Sequence, residues 1–352
     1  MHLTFDGVND AFKGVVSLIQ NGGAEVFRSP SRSGDILSVA DPVTVTYRRP
    51  RDRVLFNSAR DANPFFHLFE ALWMLAGRDD VQPLIYYNSK IAEIASDDGV
   101  TLNGAYGRRW RGRSPATDAD MQDGLQGGTD QLPIIVDQLK RKPESRRCVL
   151  EMWNTRDDLL RIDQSKDVCC NTHAYFAVRE RRLNMTVCNR SNDLVWGMLG
   201  TNFVHFSVLQ EYLAACIGTE VGVYNHFTNN LHVYTARWRP EKYLADSTPN
   251  YYGDVEEATR VRERIALVRR PELFDAECKS FVENPRGVRW KEPFFSEVAR
   301  PMTRAFDLHK TRDYQGALTC AREIASDDWR IASVLWIERR QRAWEAANQR
   351  HG

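Results

Sequence analysis

The chain has 352 residues, of which 42% are hydrophobic and 27% charged, with a formal net charge of +1 and seven cysteines. These figures describe a folded protein of one large or two ordinary domains with ample apolar material for a core, and they exclude a disordered or collagen-like chain. Balanced charge gives no whole-molecule field for nucleic acid, so any anion site must be local.

Apolar runs are short and interrupted by charge, far below the roughly 20 residues that cross a bilayer as a helix, so no membrane partner is expected. The first residues carry Asp6 and Asp10 and lack a basic segment followed by an apolar one, which reads against a secretory signal and for a cytoplasmic location. An odd number of cysteines, without paired C-x-x-C spacing or histidines at ligand spacing, points to reduced thiols, no disulfide framework and no metal site.

In chain order, residues 35–56 alternate apolar and polar positions and are rich in Val, Thr and Tyr, the pattern of a strand. From Pro64 apolar residues recur at three- and four-residue spacing as far as Gly77, which predicts a helix with a C-terminal glycine and places Glu70 inside it among Phe69, Leu72 and Trp73. Residues 114–130, rich in Gly, Asp and Ser, read as an exposed loop. A helix is expected over 134–139, strands over 147–153 and 182–189, and a strongly apolar helix over 203–217 closed by Gly218. Strands and helices mixed in this order predict an α/β fold of the α+β sandwich type. After about residue 240 the pattern becomes helical, at 254–268, 291–310 and 315–345, with Trp329, Trp336 and Trp344 read as packing residues. No long linker separates the two parts. The expectation is a catalytic core over 1–240 and a helical extension over 241–352 packed on it.

The stretch from 166 to 234 holds polar residues that are hard to bury, Arg190, Asn192, Asp193, Asn202 and His232, set between apolar elements. Upstream, Arg146 and Arg147 stand side by side in ESRR, just before a strand. Paired guanidinium forks with a serine nearby suit a phosphate dianion, whose oxygens they bind in a bidentate way.

The run Asn189-Arg190-Ser191-Asn192-Asp193 resembles the R-S-x-D element of the thymidylate synthase superfamily, and Cys170 lies 20 residues before Arg190, as the family's nucleophile does. The resemblance covers roughly residues 10–240. It implies a thymidylate synthase-like fold with a mixed β-sheet at a homodimer interface, a pyrimidine nucleoside monophosphate as substrate and 5,10-methylenetetrahydrofolate as one-carbon donor. It implies Cys170 as nucleophile, Glu70 in HLFEALW as catalytic glutamate and Tyr106 in LNGAYGRRW as active-site tyrosine. Arg32, Arg190 and Ser191 would bind the phosphate, together with Arg146 and Arg147 donated by the partner subunit. Asp193 and Asn202 would face the base, and His232 and Tyr234 the sugar. Neither His173 nor His205 matches a functional position of the family, and both read as structural. A hydrolase using Cys170 with His173 is disfavoured, since three residues along a strand turn the two side chains to opposite faces.

Such residue types suit the chemistry. Thiolate addition at C6 of a pyrimidine makes C5 nucleophilic, and Arg190 beside the thiol favours the thiolate. Glu70 can move protons through bound water. Three departures bear on the product. The window 89–98 has no tryptophan, leaving Ile91, Ala92, Ile94 and Ala95 where methylating synthases carry bulky aromatics. The C-terminus, RAWEAANQRHG, lacks a short apolar closing tail, and GMLGTN is one residue longer than the family's segment. A site so opened admits water to the exocyclic methylene at C5, giving hydroxymethyl rather than methyl. The expected enzyme therefore belongs with the dUMP, dCMP and CMP hydroxymethylases. A reductive thymidylate synthase is the alternative within the class and a non-catalytic nucleotide-binding homologue the alternative outside it. Asn202 favours uracil through its amide, Asn192 or Asp193 could serve cytosine, and the 2′-position of the sugar stays open.

Overall fold

The computed structural model describes residues 1–95, 98–112, 129–160, 162–165, 167–253, 255–287 and 289–349. The loop expected at 114–130 lies almost wholly outside the described residues, as do two positions of the window 89–98 and the last three residues of the chain.

The described strands are β1 (His2–Phe5), β2 (Val26–Ser29), β3 (Ile36–Val39), β4 (Val43–Tyr47), β5 (Val149–Glu151), β6 (Asn171–Arg179), β7 (Arg182–Asn189), β8 (Asn192–Asp193), β9 (Glu220–Thr228) and β10 (Leu231–Tyr234). Six of them form a mixed sheet in the order β1-β4-β9-β7-β6-β5, and four a smaller sheet in the order β2-β3-β10-β8. In the larger sheet β1 runs parallel to β4 and β7 parallel to β9, while the other pairs are antiparallel. The chain thus has the α+β architecture expected from its order of elements. The strand-like stretch 35–56 divides at residues 40–42 into β3 and β4 and ends at Tyr47.

Helices α1 (Val8–Gln20), α2 (Pro64–Leu75), α3 (Gln82–Tyr87), α4 (Tyr106–Arg111), α5 (Gln131–Arg141) and α6 (Asn202–Ile217) surround the sheets. Asn63 caps α2, accepting from the Phe66 N–H at 3.1 Å with Pro64 in the first turn, and every residue of α2 is buried. Gly77 and Gly218 follow α2 and α6 at φ +73° and +87°, backbone that a side chain resists. Helix α6 lies on β7 and β9 and is buried on nearly all sides. Most of its polar groups find partners: Gln210 donates to the Leu183 and Val223 carbonyls, Ser207 to Pro50, and Glu211 accepts from Arg53, while Gln210 Oε1 and His205 Nδ1 have none among the described residues. The opposite face of the large sheet is the more exposed one. On β7 and β9 buried residues alternate with half-buried ones, and Tyr175 on β6 is 46% exposed.

After residue 240 come α7 (Pro240–Ala245), α8 (Pro271–Glu283), α9 (Arg300–Lys310), α10 (Tyr314–Arg322) and α11 (Asp327–Gln349). The helix expected over 254–268 is not formed apart from a 3-10 turn at Glu257–Thr259. Its backbone donors are taken by distant acceptors instead: Arg262 and Glu263 donate to Asp327, Val261 to the Tyr251 carbonyl, and Leu267 to Glu211. The next helix, α8, buries Phe274, Cys278, Phe281 and Val282 against α2. Phe306 of α9 meets the rings of Phe65, Tyr86, Tyr87 and Trp336, and Arg339 and Arg340 of α11 pair with Asp61 just before α2. The C-terminal helices therefore brace α2 and α3 through a continuous apolar core.

Candidate active site

Pairing of β6 with β7 brings the middle of the sequence to one point. The Arg190 backbone N–H donates to the Cys170 carbonyl at 3.0 Å, extending the ladder one residue past both strands. The Arg190 guanidinium donates to the carbonyls of Cys169 and Val168, each at 2.9 Å, and its Nη2 lies 3.7 Å from the Cys170 sulfur. Trp153 lies beneath it, 5.7 Å from ring centre to guanidinium carbon. Cys170 is partly accessible, whereas its neighbour Cys169 is buried with Sγ turned to the Asn171 carbonyl. Burial pushes the Cys170 thiol up; Arg190 and Arg32 pull it back, while Asp167 and Asp158 add to the rise. The net direction is upward, so Arg190 moderates the cost of the thiolate here without outweighing burial.

Tyr106, at the start of α4, is held well above the usual phenol range by burial and by the fields of Cys170, Cys169, Asp167 and Glu70. Glu70 on α2 and His205 on α6 meet at 2.9 Å, both buried. Packing of α2 on α6 brings the two side chains together. Sequence reading took His205 as structural because it matches no functional position of the family, and the contact with Glu70, spanning 135 residues, leaves no mark in the local pattern. Asn171, next to Cys170, is likewise buried, with both ends of its amide unpartnered among the described residues.

The smaller sheet gathers a second group. Parallel pairing of β8 with β10 sets Asp193 opposite His232, and Ser191 Oγ lies 3.5 Å from His232 Nδ1. Asp193 accepts from the Trp196 N–H and so caps the π-helical turn Leu194–Thr201. Burial pushes its carboxyl up, against backbone donors, His232 and Arg60. His232 is pulled down by burial, and its ring meets Tyr234 edge to face at 5.4 Å. Tyr234 in turn faces Ser33 and Arg32, the latter exposed in the β2–β3 connection. Arg146 and Arg147 are not part of this cluster. They are exposed before edge strand β5, lining a surface groove with Gln138, Lys142, Glu144 and Ser145.

One wall was not foreseen. Trp196 is 40% exposed, with Arg60 4.1 Å from its ring centre and Arg237 and Lys90 at 5.9 and 6.0 Å. Among the described residues of the 89–98 window only Ile94, 45% exposed, presents a large apolar side chain, while Ile91 and Ala95 are buried. The buried Arg60 guanidinium lies over the indole and donates to the Val195 carbonyl, and the remaining aromatic surface, with Arg237 and Lys90 nearby, suits a flat anionic ligand.

A family model described as thymidylate synthase matches residues 60–269. The chain belongs to the thymidylate synthase family. Among curated proteins it is similar to a deoxyuridylate hydroxymethyltransferase of Pseudomonas phage M6, with 41% identity over 336 residues covering 93% of this chain and 91% of the relative. Another deoxyuridylate hydroxymethyltransferase, of Bacillus phage SP01, is 36% identical over 60% of this chain and 55% of its own length. A thymidylate synthase of Symbiobacterium thermophilum is 31% identical over 47% of this chain and 57% of its own. This thymidylate synthase family member is a folate-dependent enzyme that transfers a one-carbon unit to C5 of a pyrimidine nucleotide, with 5,10-methylenetetrahydrofolate as donor. No helix among the described residues is long and apolar enough to cross a membrane.

Proposed function

We propose that the protein converts dUMP to its 5-hydroxymethyl derivative in the cytoplasm. The observation that carries this reading is the segment 89–95, which offers Ile94 and no aromatic of its own, the exposed Trp196 beside Lys90 being contributed from another part of the chain. The names of the two phage relatives, one matched over 93% of this chain, support both the substrate and the product. Cys170 Sγ adds to C6 of the base, and the electron pair of the C5–C6 double bond passes into the O4 enolate. Arg190, touching both the sulfur and its peptide, stabilises the thiolate that attacks and later leaves. Folate supplies a carbon at the formaldehyde level. C5 bonds to that carbon; Glu70 and Tyr106, flanking the same space, then take the C5 proton away through water, and the pair left at C5 forms the exocyclic double bond as the bond from the transferred carbon to the folate nitrogen breaks and tetrahydrofolate leaves. Water then adds to the exocyclic methylene of the nucleotide, and expulsion of Cys170 from C6 restores the double bond.

Arg32, Arg190 and Ser191 hold the phosphate, His232 and Tyr234 the sugar, and Asn202 with Asp193 the base. The half-exposed face of the large sheet supports a homodimer, in which the exposed Arg146 and Arg147 of each chain complete the phosphate site of the other. We read residues 1–240 as the catalytic core and 241–352 as its helical extension. Incubation with folate donor and dUMP, dCMP, UMP or CMP, followed by mass analysis, tests the whole reading. A gain of CH2O on dUMP with release of tetrahydrofolate is expected. A gain of CH2 with release of dihydrofolate overturns it in favour of a methylating synthase, and no transfer to any of the four overturns catalysis itself.

A further inference from the structure

We propose that a buried relay, Tyr224–His226–Asn192, fixes the amide of Asn202 and thereby sets the choice of uracil over cytosine. This rests on the reading above that Asn202 faces the base. Asn202 Nδ2 donates to Asn192 Oδ1 at 3.1 Å, Asn192 Nδ2 lies 3.1 Å from His226 Nε2, and His226 Nδ1 lies 3.0 Å from the Tyr224 hydroxyl. The four residues come from three elements, β8, β9 and the first turn of α6. All four are buried, His226 and Tyr224 completely.

The relay has a direction. Because Asn192 Oδ1 is taken by Asn202, the end of Asn192 that meets His226 is its NH2, which can only donate. His226 Nε2 must therefore accept, leaving the proton on Nδ1 to be donated to the Tyr224 oxygen. Burial pulls His226 down to about 3, so the ring is neutral with one donor and one acceptor. Gly197 closes the arrangement: a Cβ there would stand 2.2 Å from Asn192 Oδ1 and 3.3 Å from Asn202 Nδ2, so the amides occupy space that a side chain would take.

Held this way, Asn202 keeps one Nδ2–H and its Oδ1 for substrate, in a single order. Uracil offers O4 as acceptor and N3–H as donor. Cytosine offers the reverse, an amino donor and N3 as acceptor, and would need the amide turned over. Turning it sets Asn202 Oδ1 against Asn192 Oδ1, unless Asn192 and the His226 tautomer reverse together. A site built on oriented hydrogen bonds rejects the analogue that inverts them, because its buried groups are left unpaired. Asn192, His226 and Tyr224 are thus positioning residues, acting on the base through Asn202.

The test compares dUMP and dCMP affinity, without folate, in Tyr224→Phe and His226→Gln. Tyr224→Phe keeps the ring and removes the acceptor of Nδ1–H, so it needs no refolded core. The expected result is a loss of dUMP over dCMP preference of about tenfold or more, with dUMP weakened and dCMP not. In ¹⁵N-histidine spectra of the wild-type protein, His226 is expected as the Nδ1–H tautomer, shifting in Tyr224→Phe. A folded Tyr224→Phe with unchanged preference, or a wild-type Nε2–H tautomer, overturns the relay. Asn202→Asp is the separate control: if it leaves the preference untouched, the reading of Asn202 as base contact is what fails.

Discussion

His205 Nε2 and Glu70 Oε2 stand 2.9 Å apart, buried between α6 and α2, and His205 Nδ1 has no partner among the described residues. An imidazole in that place holds the carboxyl in one rotamer by a hydrogen bond, and a fixed carboxyl is what moving protons through water requires. His67, pulled well down by burial and by Arg60 and His205, lies in the same space without adding charge. Replacing His205 by Phe is expected to lower kcat by roughly 100-fold with little change in KM for dUMP, and Gln is expected to restore part of it. Steady-state kinetics with C5 tritium release decide this; an effect confined to KM would make His205 a binding residue instead.

The elements that carry the site were legible wherever the signal is local. Asn63–Pro64 and Gly77 bracket α2, Gly218 ends α6, and the spacing of Cys170 to Arg190 is the length of the β6–β7 hairpin. What sequence reading missed depends on distant partners. Residues 254–268 have helical periodicity, yet Asp327, Glu211 and Tyr251 take their backbone donors. The Glu70–His205 pair and the His226 relay join residues on separate elements, and nothing in the local pattern marks them. Helix α8 is a different case: Pro271 and the spacing of Phe274, Cys278 and Phe281 were there to be read.

The Cys170 thiol gives a pH dependence of known sign. Burial raises it, so the thiolate fraction grows only as pH climbs past the ordinary cysteine range. Alkylation of Cys170, followed by peptide mass analysis, is expected to accelerate with pH to a midpoint above about 8.5. Arg190→Met removes the largest downward pull and is expected to move that midpoint further up. Asp167→Asn removes an upward push and is expected to move it down. A midpoint at or below that of a free thiol would contradict the burial argument.

Phe306 joins the C-terminal helices to the site through Phe65, Tyr86 and Tyr87. Truncation to Ala leaves a cavity among fixed rings and is expected to cost about 3–5 kcal/mol, read from urea unfolding. Because Tyr86 and Tyr87 end α3, just before the 89–95 wall, KM for the folate is expected to rise more than KM for dUMP. Equal changes in both would mean that α9 supports the core without shaping that wall.

The place of Arg146 and Arg147 is decided by mixing subunits. Cys170→Ser alone and Arg146→Ala/Arg147→Ala alone are each expected to be inactive as homodimers. If the arginines serve the partner's phosphate site, a mixed dimer holds one site with both defects and one with neither, since the intact Cys170 and the intact arginines then meet across the interface. Random reassortment of equal amounts makes about half the dimers mixed, so activity is expected to return to about a quarter of the wild-type level. If the arginines served their own chain, each site of the mixed dimer would carry one defect and activity would stay absent. The sheet face that would form this interface carries Tyr175, 46% exposed in the single chain. Tyr175→Glu is accordingly expected to weaken the dimer in sedimentation and to lower activity in step with dissociation.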